Sequence, residues 1–347
     1  MRDTTRRTVL AGRTAALATA TLPALVRAQT APAKALTDLA AAAAKKPPVV
    51  WSESSEPAAI AKVIAAFNKI WPDIKVEFIR DTGGNTLAAK AVQETQAGGT
   101  PASLLTGDAA QFMALEQRGM LVKTDWTALG VAPALAGSPF MVATTAALGT
   151  LVWNTQKVAA ADAPKSVDDL VAPRWKGKVG AWIRTPIYAS LAKMTGEAAV
   201  RAHIEKLGAN QVRLYDSTYR LAQEIGAGEI EVGYGLYHAT LPAIAAGAPV
   251  AQALPDAVGL STLFSGVVAK GANPEGAQVM AAWLATRDGS DAYEAATGRG
   301  NPYVTGSKAS VYVGSRKLSE YPLAELPTYV RLLTEFNRMM SSRGAAR

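Results

Sequence analysis

The stretch VVWSESSEPAAIAKVIAAFNKIWPDIKVEFIR, Val49 to Arg80, decides the fold class. Val49-Val50-Trp51 is a short apolar run of strand character. After it come serines suited to capping, Pro57 near a first helical turn, and Ile60, Val63, Ile64, Phe67 and Trp71 at the spacing of one helical face. Ile74, Val76 and Phe78 then alternate with Lys75 and Glu77, the period of a strand, before Gly83-Gly84 breaks the chain towards another helix. Strand, helix, strand is the α/β unit.

The same alternation extends outward. Ser103-Leu104-Leu105 precedes a helix over Ala109 to Arg118 closed by Gly119, and Gly149 to Trp153 is an apolar strand. Val179 to Trp182 leads to a helix at Pro186, Val212 to Tyr215 to one at Ser217, and Ile230 to Tyr234 runs towards Pro242 and Gly247. Gly266 to Ala269 reads as a strand, followed by a helix from Pro274 through Trp283 and a last amphipathic helix from Pro327 to Met339. No fixed-period repeat interrupts this order.

Ahead of the α/β region, Thr14 to Val26 carries no charge over 13 residues, too short for the roughly 20 apolar residues of a membrane span. With Arg6-Arg7 before it and Val26-Arg27-Ala28 after it, the segment reads as an export signal cleaved near Ala28. The arginine pair resembles a twin-arginine signal, although Val9 stands where that signal usually has Phe. Residues 1–28 hold five arginines and one aspartate, so removing them takes the net charge from +8 to +4. The remainder has no Lys/Arg blocks interleaved with aromatics, which argues against nucleic-acid binding. Cysteine is absent and there are only two histidines, which excludes a Cys/His zinc site and a thiol nucleophile. The length left after residue 28 favours two domains.

Several phrases in the same order resemble the extracellular solute-binding proteins of iron-type ABC importers. They are ALEQRGMLVKTDW (114–126), LVWNTQKV (151–158), SVDDLVAPRWKGKVG (166–180), IGAGEIEVGY (225–234), AAGAPVAQALP (245–255) and AKGANPEGAQVMAAWLATRDG (269–289). The resemblance implies a type II periplasmic binding fold, two α/β lobes closing on a ligand about a hinge. It implies residues 49–150 as lobe 1, 151–255 as lobe 2 and 256–347 as a return to lobe 1 with C-terminal helices, with 29–48 a linker. The partners it implies are a small-molecule ligand and an ABC permease in the inner membrane. We expect a periplasmic monomer with no cofactor.

In open α/β sheets ligands sit beyond the carboxyl ends of strands, where helix N-termini present free N–H groups. The residues at those ends are Ser54, Ser55, Thr82, Thr106 and Asp108 from the first lobe, and Arg184, Thr185, Tyr188, Ser217, Thr218, Tyr237 and His238 from the second. Ser54, Ser55, Ser217, Thr218 and Asp108 are also helix-cap candidates. Arg184 follows an apolar strand, and its planar fork suits a carboxylate or phosphate. His203 falls on the polar face of an amphipathic helix and is expected in solvent.

By resemblance, ferric-iron binders of the family place two adjacent tyrosines shortly after the Gly-Glu turn. Here Tyr237-His238 occupies that place. A small organic or phosphorus-containing anion is therefore expected, with ferric iron on Tyr237 and His238 as the alternative. An exported enzyme on the same scaffold is disfavoured, since no G-x-S-x-G elbow, P-loop or dinucleotide fingerprint occurs.

Overall fold

The computed structural model describes residues 33–81 and 86–343. Its elements run α1 (Lys34–Ala43), β1 (Val49–Glu53), α2 (Pro57–Asn68), β2 (Val76–Arg80), α3 (Thr86–Gln96), β3 (Leu104–Gly107), α4 (Ala109–Glu116) and β4 (Val142–Asn154). They continue with β5 (Val179–Trp182), α5 (Pro186–Thr195), α6 (Glu197–Ala209), β6 (Arg213–Tyr215), α7 (Thr218–Ala227), β7 (Val232–Leu236), α8 (Tyr237–Ala245) and β8 (Val250–Ala253). The last are β9 (Ala257–Val267), α9 (Pro274–Leu284), α10 (Arg287–Thr297), α11 (Lys308–Val313), β10 (Lys317–Ser319) and α12 (Leu326–Arg343). The export signal and cleavage site expected over 1–28 lie outside the described residues.

One sheet joins the strands in the order β2-β1-β3-β9-β4-β7-β5-β6, with β8 on β4 and β10 on β9. Two long strands connect its halves. The first half of β4 pairs antiparallel with β9, Ala147 opposite Ser261, and its second half pairs with β7, Leu151 opposite Tyr234. β9 leaves β10 at Ala257 to Gly259 and ends against β3, Leu104 opposite Val267.

Hydrophobic burial separates into two large clusters on either side of these crossing strands. The first gathers Trp51, Ile60, Phe67, Phe112, Trp126 and Trp283 around β1 to β3. The second gathers Leu170, Ile187, Tyr188, Ile204, Tyr234 and Phe336 around β5 to β7. Each fully buried large side chain contributes about 1.5–3 kcal/mol relative to exposure. The stretch expected as a linker contains α1, whose Leu36, Ala40 and Ala43 are buried, and Asn273 Nδ2 donates to Ala43 O at 3.1 Å. The segment 256–347 divides: α9 and Tyr293 of α10 join the first cluster, whereas Leu332, Phe336 and Met340 of α12 join the second.

Candidate ligand-binding site

The ends of β1 and β7 meet at Arg299, a residue beyond the end of α10. That helix stops at Gly298, whose φ of 76° is the left-handed region glycine adopts without penalty. The next residues are held on the crossing strand: Thr145 Oγ1 donates to Arg299 O at 3.3 Å, and Ala146 N donates to Gly300 O at 3.0 Å. Arg299 Nε donates to His238 Nε2 at 3.2 Å, and Nη1 donates to Ser55 Oγ at 3.2 Å and Ser54 Oγ at 3.4 Å. The guanidinium thus spans the end of β1 and the start of α8, which follows β7.

Burial disfavours the charged forms of the groups around the guanidinium. Glu53, 1% exposed, approaches Arg299 Nη1 at 3.9 Å. Burial pushes its carboxyl above the usual glutamate range, and the guanidinium opposes that shift. His238 is 2% exposed, and burial together with the Arg299 charge holds its imidazole well below the ordinary value. A neutral ring leaves Nε2 free to accept from Arg299. Tyr293 OH lies 3.2 Å from Ser55 Oγ, and the Tyr219 ring stands edge-on to His238 at 5.9 Å.

A cavity of about 360 Å³, to which none of these residues contributes, is lined by Asp108, Gly137 and Ser190 of α5. Its walls also include Thr262 of β9, Tyr303, Glu320 and Tyr329. A smaller cavity of about 210 Å³, between α5, α6 and the β8–β9 loop, is lined by Tyr188 and His203. Among the described residues, no group of three or more His, Cys, Asp or Glu side chains could hold a metal ion.

Residues 51–291 match the family of bacterial extracellular solute-binding proteins. The chain belongs to that family. A curated relative, the Fe(3+)-binding periplasmic protein of Serratia marcescens, is 28% identical over 170 residues, 46% of this chain, which thus spans about half (48%) of that relative's length. Iron-bound HitA from Pseudomonas aeruginosa aligns with a TM-score of 0.68 at 20% identity, over 84% of this chain and 99% of its own. AfuA from Actinobacillus pleuropneumoniae, with fructose-6-phosphate bound, aligns at 0.62 and 16%, over 85% and 98%. At such identities these structures establish the type II periplasmic binding fold.

Within this solute-binding protein the expected site residues divide into those that reach Arg299 and those that do not. Ser54, Ser55 and His238 reach it. The two serines do not cap α2: the N-cap is Glu56 without a side-chain bond, and Pro57 removes one of the orphan N–H groups. Ser217 does cap α7, accepting from Arg220 N, and Thr218 is the buried first residue of that helix. Asp108 caps α4 through Ala110 N and Gln111 N. Thr106 is buried, accepting from Trp51 Nε1 at 2.9 Å and sharing a hydrogen bond with Ser265 at 2.8 Å.

Thr185 donates through N and Oγ1 to Asn337 Oδ1 at 2.8 and 2.9 Å, which ties α5 to α12. Arg184 is exposed at the end of β5. Tyr237 is half-buried and stacks on Tyr312 with ring centroids 4.5 Å apart. Tyr188 is fully buried in the second cluster, 5.2 Å from the Tyr234 ring and 5.5 Å from His203. Thr82 lies outside the described residues. His203, expected in solvent, is 4% exposed, because the turn at 168–171 lies against α6 and brings Asp168 Oδ1 within 3.2 Å of Nδ1.

Sequence reasoning missed Arg299. The phrase Thr297-Gly298-Arg299-Gly300 signals a helix stop and an arginine held between glycines. Nothing in that spacing indicates that it meets Ser54, about 245 residues earlier in the chain.

Proposed function

We propose that this solute-binding protein captures a small organic or phosphorus-containing anion between its lobes and delivers it to the membrane permease of an ABC importer. The observation that supports this reading is the Arg299 guanidinium, shared between Ser54 and Ser55 of one lobe and His238 of the other. A cation in that position gains most from a ligand that touches both lobes. Its contacts to the serine hydroxyls are long, and charge-assisted bonds to an anion are shorter and stronger. Arg184, exposed at the end of β5, is the second cation we assign to the ligand, beside the N-termini of α5 and α7. The lobes close by rotation about the crossing strands β4 and β9, since hinged binding proteins absorb closure in a few linking residues. We assign the protein no catalysis, and place it as a monomer in the periplasm without nucleic-acid partners.

Ferric iron is the second reading, favoured by the Fe(3+)-binding relative from Serratia marcescens and the iron-bound HitA of Pseudomonas aeruginosa. Against it stands the guanidinium 3.2 Å from His238 Nε2, a fixed positive charge at the nitrogen a metal would need. Native mass spectrometry of the purified protein, followed by a denaturing run, separates the two. We expect a released organic or phosphorylated molecule, and an Arg184→Ala protein that binds it roughly tenfold to a hundredfold more weakly, the worth of a charge-assisted bond. A red, iron-loaded protein bleached by Tyr237→Phe would overturn the anion reading.

Export is proposed to use Arg6-Arg7. Changing both to lysine should leave uncleaved protein in the cytoplasm, as fractionation and blotting would show. Unaltered processing and periplasmic recovery would instead assign the general secretory route.

A further inference from the structure

Glu320 is a half-buried carboxylate in the wall of the 360 Å³ cavity. Its Oε1 accepts from Thr262 N at 2.9 Å, and its Oε2 accepts from Thr262 Oγ1 at 2.8 Å and Tyr303 OH at 2.9 Å. All three donors are neutral. Asp108, in the same wall, accepts from Ala110 N, Gln111 N and Gln111 Nε2 among the described residues, at 2.9–3.2 Å. None of the side chains lining the cavity belongs to a lysine or arginine. Two carboxylates therefore line one half-open cavity with no lysine or arginine in its walls, Lys193 Nζ standing 5.5 Å over the Tyr321 ring, and a counter-charge would be favourable there. Burial pushes the Glu320 carboxyl above the usual glutamate range, and its bonds to Thr262 and Tyr303 oppose that shift.

The remaining walls indicate which cation fits. Tyr303, Tyr321 and Tyr329 line the cavity, the last two with ring centroids 6.3 Å apart and tilted by 48°. Aromatic faces attract alkylated ammonium groups as well as carboxylates do. A carboxylate offers about four lone-pair positions, and three at Glu320 are taken. Direct metal coordination would break those bonds, whereas an ammonium needs only the remaining position and the charge. Ser190, 1% exposed in the lining, makes no close hydrogen bond through its hydroxyl, and Tyr329 is the polar group beside it. The volume lies at the small end of ligand pockets, roughly 300–1,000 Å³.

We propose that this cavity is a second binding site, for a small organic cation such as an alkyl- or quaternary ammonium, held between Glu320, Asp108 and the tyrosine rings. It is distinct from the Arg299 cluster and does not rest on the anion reading.

Isothermal titration of the full chain with tetramethylammonium chloride and n-butylammonium chloride, against sodium chloride at equal ionic strength, tests it. The expected result is one saturable site for at least one of the two ammonium salts. Its affinity should fall at least tenfold in Glu320→Gln, and inorganic phosphate should not compete for it. Glu320→Gln keeps an acceptor for Tyr303; if that variant does not fold by circular dichroism, Asp108→Asn, which retains a helix cap, decides by a loss of severalfold. No saturable ammonium binding overturns the proposal. So does affinity unchanged in the folded variants, or calcium chloride binding in place of both ammonium salts. Any of these leaves the anion reading standing, because that reading depends on Arg299.

Discussion

An Arg299→Ala protein is expected to lose about 3–5 kcal/mol of stability, the cost of removing one partner from a buried charge pair. Glu53, 1% exposed, would be left without the guanidinium that opposes its desolvation. Adding Glu53→Gln to the same chain should recover much of the deficit, since the uncompensated charge is then gone. The pH dependence has a defined sign. A carboxyl whose folded pKa is raised destabilises the fold when it is ionised, and this penalty is relieved as the pH falls towards its ordinary value of 4.5. The deficit of Arg299→Ala against the natural chain should therefore narrow between neutral pH and that value. Urea unfolding of the three proteins at two pH values measures this. A deficit that Glu53→Gln leaves untouched would show that Arg299 acts only through its hydroxyl and imidazole contacts.

Gly259→Ala should cost about 3 kcal/mol, the upper end of ordinary overpacking penalties. Gly259 pairs with Ser319 on β10, and a Cβ built there would overlap the carbonyl oxygen of Ile187 in α5. A backbone atom cannot turn aside as a side-chain tip can, so the helix must move off the crossing strand. Gly235→Ala on β7 provides the control: its nearest neighbours are side-chain carbons of Leu221 and Val152 at 3.4 and 3.7 Å, ordinary contacts. Equal losses in thermal and urea unfolding for the two variants would contradict this account.

The local alternation of strand and helix was legible wherever one face of an element is wet. Val49 to Arg80 folds into β1, α2 and β2 at nearly the expected positions, and the helix at Pro186 begins where proline fixes its first turn. The crossing strands were only partly legible. β4 spans Val142–Asn154, yet Val142 to Leu148 is a run of Thr and Ala buried almost throughout, with no period of two. β9 was read only at its end for the same reason. The site followed that division. Ser54, Ser55 and His238 stand where strand ends predict, but Arg299 and the burial of His203 depend on contacts between distant segments that no local pattern encodes.

The last helix, α12, has a consequence for the order in which the chain folds. Leu332, Phe336 and Met340 complete the second cluster, Asn337 anchors the start of α5, and Glu335 and Arg331 pair with Arg201 and Glu197 of α6. All the other helices and strands of that cluster precede α12 in the sequence. A ribosome releases those elements first and α12 after them, so the second lobe emerges with its core unfinished, whereas the first waits only for α9 and α10, which bring Trp283 against Phe67 and Tyr293 against Trp51. Synthesis of α12, rather than the pairing of β5 to β7, then times the closing of that core.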